Sequence, residues 1–162
     1  MKRVLILGAK GMLGSQLMAL YPGAVGWDRE DVDVLDTPAL EAGIRGLDGL
    51  EAVINCVAFN DVDGAEDRQE AAFALNAGFP GKLASFCNGL GIPLVHYSTN
   101  YVFDGVRGEY VETDAPAPLS TYGRSKLGGE VEVARHGGVW YVIRTAVIFG
   151  PKGASDLSKR SF

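Results

Sequence analysis

Cysteine, histidine and tryptophan occur only twice each in this 162-residue chain. Cys56 and Cys87 lie far apart, each inside an apolar stretch, so they read as buried free thiols of a reducing cytoplasm, not as a disulfide. His96 and His136 have no cysteine or acid neighbours at metal-ligand spacing, so no metal site is expected; His96 reads as a core or site-lining strand residue. Positive charge is scarce as well. Fifteen Lys and Arg against 20 Asp and Glu give a net charge of −5, which excludes a bulk basic surface for nucleic acid. No apolar run approaches the roughly 18 residues that span a bilayer. The start at Met1 resembles a secretory leader only briefly, because Lys10 interrupts it and no small-residue cleavage site follows. There is no GxSxG elbow around Ser98, and Gly81-Lys82 lacks the rest of a P-loop. What remains is a soluble, cytoplasmic chain with no membrane, nucleic-acid or metal partner.

The content that is present is apolar and rich in glycine. The chain is 47% hydrophobic, enough to bury a core, and its 22 glycines are scattered without period, which marks tight turns and close backbone approaches. Continuous apolar runs at Arg3–Leu7, Ala24–Trp27, Ala52–Val57, Leu94–Ser98 and Val139–Arg144 predict strands buried on both faces, with a weaker one at Val32–Leu35. Helices are expected near Met12–Leu20, Pro38–Gly46, Gln69–Leu90 and Tyr122–His136, with Thr37 as a cap and Gly91 and Pro93 closing the longest. Strand and helix in alternation imply right-handed crossovers and an α/β, doubly wound parallel sheet of the Rossmann kind. Asp104–Thr121, with two glycines and two prolines, predicts one long functional loop. The expected organisation is one dinucleotide-binding domain over 1–150 and a polar tail over 151–162.

Gly8-Ala9-Lys10-Gly11-Met12-Leu13-Gly14 stands between the first strand and the first helix. Gly8 suits the tight turn, Gly11 the approach of a pyrophosphate, and Gly14 the packing of helix on strand. The phosphates would rest on the free N–H groups of the helix end. The spacing GxxGxxG is one residue longer than the GxGxxG fingerprint, so its position after a strand carries the argument. Asp28, twenty residues after Gly8, suits the adenosine ribose hydroxyls, whereas Arg29 and Lys10 suit the 2′-phosphate of NADP. NAD(H) and NADP(H) both stay open.

Tyr122-Gly123-Arg124-Ser125-Lys126 puts Tyr and Lys on one helix face, just after the long loop. Reducing a ketone requires hydride at carbon and a proton for the alkoxide, and a free phenol with a pKa near 10 is a sluggish acid. An ammonium at about 4 Å is worth up to about 4 kcal/mol at an effective dielectric near 20. That bounds the lowering of the phenol at about three units. Lys126 also suits the nicotinamide ribose, and Ser98 or Thr99 at a strand end suits the substrate oxygen. Neighbouring strand residues point to opposite faces, so one of the two serves.

On these residues the chain resembles the extended short-chain dehydrogenase/reductases and, within them, the dTDP-4-dehydrorhamnose reductase branch. The likeness runs through Gly8–Gly14, Ile54–Glu66, Leu75-Asn76-Ala77, Tyr110–Asp114, Tyr122–Glu130 and Arg144–Gly150. Its most specific piece is His96-Tyr97-Ser98-Thr99-Asn100-Tyr101-Val102-Phe103-Asp104-Gly105. The resemblance implies Thr99, Tyr122 and Lys126 as catalytic hydroxyl, proton donor and ribose-binding ammonium. It implies cofactor contacts at Gly8, Lys10, Gly11, Met12, Leu13, Asp28, Asp36, Thr37, Cys56, Ala58 and Val147. It also implies a dTDP-linked deoxysugar as substrate, reduced at its C4 ketone, and allows a homodimer. An epimerase or dehydratase of the same superfamily and a non-catalytic dinucleotide-binding regulatory subunit are the alternatives. Asn100 stands where the family usually has Asp, and members are longer, with a C-terminal lobe for the sugar nucleotide. This chain is therefore expected to bind cofactor and to turn over substrate poorly.

Overall fold

Strands without polar alternation need cover on two faces, and successive helices supply it here. The computed structural model describes residues 3–150; the expected tail over 151–162 lies outside the described residues. The strands are β1 (Arg3–Leu7), β2 (Val25–Trp27), β3 (Leu50–Asn55), β4 (Leu94–Thr99) and β5 (Trp140–Thr145). They form one parallel, Rossmann-like sheet in the order β2-β1-β3-β4-β5. The chain runs outward from β1 to β2 and then returns to β3 on the other side. The loops after β1 and β3 therefore diverge at a topological switch point, where ligands of such sheets bind.

Local chemistry sets the helix ends. α1 (Met12–Leu20) begins directly after the glycine turn, and α2 (Thr37–Arg45) has Pro38 in its first turn. The cap of α2 is Asp36, not Thr37: the Asp36 carboxylate accepts the Ala39 N–H at 3.1 Å, leaving Thr37 as the first helical residue. α3 (Gly64–Asp67) and α4 (Gln69–Phe73) precede α5 (Phe79–Leu90), which ends on Gly91 at φ 67°. α6 (Thr121–Arg135) is capped by Ser120, whose hydroxyl accepts the Gly123 N–H. Leu5, Leu7 and Val53 of the sheet pack with Ile44, Leu83, Phe86 and Val133 of the helices as the central core.

Four further expectations are corrected. The third strand ends at Asn55 instead of Val57, because Asn55 Oδ1 takes the Val57 N–H and turns the chain. Val32–Leu35 forms no strand: the Asp31 and Asp33 carboxylates take the N–H groups of Asp28 and Leu35, and such local bonds compete with a ladder. The helix expected over Gln69–Leu90 is interrupted by a π-helical turn at Ala74–Gly78. Finally, β5 is not buried on both faces; Tyr141 and Ile143 are 58% and 39% exposed, since no described helix crosses that side.

Candidate active site

The glycine turn is shaped by what cannot fit in it. Gly8 has φ +77°, and a Cβ there would stand 3.2 Å from the Cys56 carbonyl carbon. A Cβ on Gly14 would stand 2.1 Å from the Gly8 carbonyl oxygen, so α1 sits against the turn only because that residue has no side chain. Gly8 and Ala9 both donate their N–H groups to the Trp27 carbonyl, at 2.8 and 3.1 Å, which ties the turn to β2. Gly11 caps α1 with no side chain of its own, and Met12 and Leu13 follow in the first turn. A helix end without a side-chain cap, beside a turn with glycine at both Gly8 and Gly11, fits the pyrophosphate of a dinucleotide.

Asp28 follows β2, and each of its oxygens accepts a backbone N–H: Lys10 at 2.9 Å and Arg29 at 2.9 Å. The Lys10 ammonium meets the Glu30 carboxylate at 3.0 Å on the surface. Asp36 and Thr37 open α2, with one Asp36 carboxylate oxygen taken by the cap and Thr37 lining a small groove with Leu40 and Phe79. Cys56 and Ala58 follow β3, and Val147 follows β5 with 75% of its surface exposed.

The second half of the site lies at the carboxyl ends of β4 and β5. Thr99 ends β4; its hydroxyl accepts the Tyr101 N–H at 3.2 Å, and it lies near enough to the half-buried Tyr122 phenol to favour its ionised form. Ser98 points the other way and donates to the buried Glu130 at 2.5 Å, so Thr99 is the hydroxyl facing Tyr122. Tyr101 meets the Tyr122 ring edge-on, with centroids 5.8 Å apart. Lys126, one turn along α6, is buried and donates to the Tyr97 carbonyl at 2.5 Å.

The electrostatics differ from expectation at Tyr122. Burial raises its phenol, Thr99 opposes this, and Tyr101 adds to it; the Lys126 ammonium is not what sets it. Lys126 is turned to the Tyr97 carbonyl instead. Burial lowers its ammonium to about 8, while Glu130 and Cys56 pull it back up. Burial also drives the Cys56 thiol up to about 12 against the pull of Lys126. Cys56 thus links the halves: its backbone stands where a Gly8 side chain would have to go, and its thiol feels Lys126.

Several polar residues of the resembling stretches were given no role of their own in the sequence, and His96 is the core residue expected there. Glu130 is bound twice by Arg144 of β5, at 3.0 and 2.6 Å, and Arg144 lies over the Phe103 ring of the long loop. Asn76, inside the π-helical turn, accepts the Phe59 N–H at 2.8 Å and donates to Ser125 at 2.9 Å, tying the loop after β3 to α6. Glu66 accepts both the Thr121 N–H and its hydroxyl, fixing the start of α6. The available signals were an arginine in an apolar strand and a glutamate on the buried face of a helix. His96 is fully buried and receives Asn55 Nδ2 on Nδ1 at 3.1 Å. Asn55 Oδ1 is occupied by Val57, so the His96 proton belongs on Nε2, which has no partner among the described residues.

Fold and site together define a Rossmann-like α/β domain with a glycine turn at the switch point and a Tyr-x-x-x-Lys helix at the neighbouring strand ends. The chain belongs to the family described as RmlD substrate binding domain, which matches residues 1–159. A dTDP-4-dehydrorhamnose reductase of Mycobacterium tuberculosis is 42% identical over 91% of this chain and 51% of its own length. The crystal structure of dTDP-4-dehydrorhamnose reductase from Bacillus anthracis in complex with NADP superposes with a TM-score of 0.90 at 33% identity, covering 94% of this chain and 56% of that one. Methionine adenosyltransferase 2 subunit beta of Rattus norvegicus is 34% identical over 92% of this chain and 48% of its own length. The chain spans about half the length of the relatives it matches.

Proposed function

We propose that this chain is the dinucleotide-binding half of an NAD(P)H-dependent reductase that converts the C4 ketone of dTDP-4-dehydrorhamnose to the alcohol of dTDP-L-rhamnose. One observation carries the reading: Thr99, Tyr122 and Lys126 stand at the same sheet edge as Cys56, whose backbone is 3.2 Å from where a Gly8 side chain would begin. The names of the Mycobacterium tuberculosis and Bacillus anthracis relatives, the latter solved with NADP, support the substrate and cofactor class.

Reduced nicotinamide, when bound, supplies hydride to the carbonyl carbon. The chain's residues do the rest. Tyr122 gives its phenolic proton to the developing alkoxide. Thr99 donates its single hydroxyl proton to that oxygen and holds it against Tyr122, while its own oxygen accepts the Tyr101 N–H. Lys126 anchors one N–H on the Tyr97 carbonyl and keeps two donors for the nicotinamide ribose. Gly8, Lys10, Gly11, Met12 and Leu13 surround the pyrophosphate; Asp28, Arg29, Asp36 and Thr37 serve the adenosine end; Cys56, Ala58 and Val147 line the reactive end.

Calorimetric titration of the 162-residue chain with NADH and NADPH is the direct test, and absence of heat with both sinks the reading. Turnover of the sugar nucleotide by this chain alone is expected to be poor. In a protein of the relatives' full length, Tyr122→Phe abolishes ketone-dependent oxidation of reduced cofactor and preserves its affinity. An epimerase or dehydratase consumes no reduced cofactor on turnover. The rat relative, named as a subunit, favours a second reading as a non-catalytic nucleotide-binding subunit, which would show no such oxidation to abolish.

A further inference from the structure

The end of β2 gathers five charged groups. Asp28, Glu30 and Asp31 oppose Lys10 and Arg29, three carboxylates against two cations, a formal excess of one negative charge. The Asp28 carboxylate is fixed by the Lys10 and Arg29 N–H groups, one on each oxygen, and retains lone pairs for further donors. A ribose hydroxyl has a proton to give it. A 2′-phosphate near neutral pH has almost none to give and brings about −1.5 to −2 of charge toward a carboxylate that cannot turn away without breaking both bonds. Lys10 is the side chain of the turn suited to answer that phosphate. Its ammonium is already 3.0 Å from Glu30, the strongest influence upon it, with Asp31 and Asp28 acting in the same sense. The Arg29 guanidinium in turn helps to keep the Glu30 carboxylate charged.

We propose that Glu30, by holding the Lys10 ammonium, makes this nucleotide site select the free 2′-hydroxyl of NAD(H) over the 2′-phosphate of NADP(H). The inference rests on reading Gly8–Gly14 as a dinucleotide cradle and assigns the choice between the two cofactors to the side chains of Asp28, Glu30 and Lys10. The backbone of the turn would meet the pyrophosphate, which both cofactors share, so the backbone cannot discriminate. Asp28 sets the preference and Glu30 deepens it by occupying the cation that would otherwise offset the phosphate.

Fluorescence titration of the 162-residue chain with NADH and NADPH at low ionic strength tests this. NADH is expected to bind about tenfold more tightly, the scale of one modest charge repulsion near a protein surface. Glu30→Gln is expected to narrow that ratio about threefold by tightening NADPH, the scale of an exposed ion pair. Added salt should shrink the Glu30→Gln effect, since exposed charges are screened. Asp28→Asn should narrow the ratio further, by weakening NADH. NADPH binding as tightly as NADH in the unsubstituted chain, or a ratio that Glu30→Gln leaves unmoved, overturns the selection while the cradle reading stands. Binding of neither nucleotide overturns both.

Discussion

The glycine-turn end and the Tyr–Lys end share one packing device and differ in everything polar. In each, a helix glycine meets a carbonyl at the distance a side chain would occupy. A Cβ on Gly14 would lie 2.1 Å from the Gly8 oxygen, and one on Gly129 would lie 2.1 Å from the Asn76 oxygen. At the turn, the charges are exposed and its polar contacts run largely through backbone N–H groups. At the other end the polar groups are buried side chains satisfying one another: Ser98 and Arg144 on Glu130, and Asn76 on Ser125. Exposed charge can be traded for a ligand's at small cost, whereas buried charge stripped of its partner is expensive. One end is thus built to exchange partners, and the other to hold a geometry.

The sharpest test of the shared device is to add a single methyl group on each side. Gly14→Ala and Gly129→Ala each drive a Cβ into backbone, and each is expected to destabilise the chain by about 3 kcal/mol or more. Gly23, with nothing within 4 Å, is the control, and Gly23→Ala should melt near the parent temperature. Thermal unfolding followed by circular dichroism measures all three. If one of the two clashing variants melts like the parent, the equivalence of the two ends fails.

The next test separates the ends. Glu130→Ala leaves Arg144 unpaired and the Ser98 hydroxyl without its acceptor, on side chains only 10% and 23% exposed for Glu130 and Arg144. Loss of one partner from such a pair is expected to cost about 3 kcal/mol in urea unfolding. Glu30→Gln breaks an ion pair whose members are 49% and 68% exposed, and is expected to leave the midpoint unmoved. A Glu30 variant as damaging as the Glu130 variant would erase the distinction.

The same contrast explains what the sequence disclosed. Gly8, Gly14 and Gly91 were legible because a positive φ or a missing Cβ is a property of one residue in its local chain. The strands and their order were legible because apolar runs separated by helices permit few topologies. Glu130 was not, since its partners Ser98 and Arg144 lie 32 and 14 residues away and meet only when β4, β5 and α6 are assembled. The π-helical turn was hidden for the same reason: Asn76 makes bonds 17 and 49 residues away, to Phe59 and Ser125. The Tyr122 phenol was misjudged because spacing along a helix reveals proximity to Lys126 but not that Lys126 donates to the Tyr97 carbonyl.

Acid exposes the buried end first. Burial, aided by Lys126, holds the His96 imidazole down to about 3 from an ordinary 6.5. The unfolded chain therefore takes up a proton below pH 6.5 that the folded chain refuses, and stability falls as pH drops through that window. The slope approaches about 1.4 kcal/mol per pH unit, or about 2–3 kcal/mol between pH 6.5 and 4.5, before the carboxylates titrate. Chemical unfolding across this range should show the slope in the parent and lose it in His96→Asn. An unchanged slope in that variant would assign the acid sensitivity elsewhere.

The smallest effect is on the alkaline side, and its sign is opposite. Lys126 is lowered by burial to about 8 from 10.5, so the unfolded chain binds more protons than the folded one above pH 8, and stability rises with pH there. Burial raises the thiols of Cys56 and Cys87 from 9.0 to about 12, and above pH 9 these ionise only in the unfolded chain. Two thiols then outweigh one ammonium, and stability turns downward. The thiols offset most of the ammonium's gain, so the expected profile rises only about 0.3 kcal/mol from pH 8 to 9, peaks near pH 9 and declines beyond it. Lys126→Met should remove the rise and leave the decline, read by urea unfolding at closely spaced pH values. The turn end stays silent throughout, because the Glu30 carboxyl is lowered and the Lys10 ammonium raised, so their pair is charged from below pH 4.5 to above pH 10.5. A peak that persists in Lys126→Met would mean that the buried ammonium is not what distinguishes the two ends.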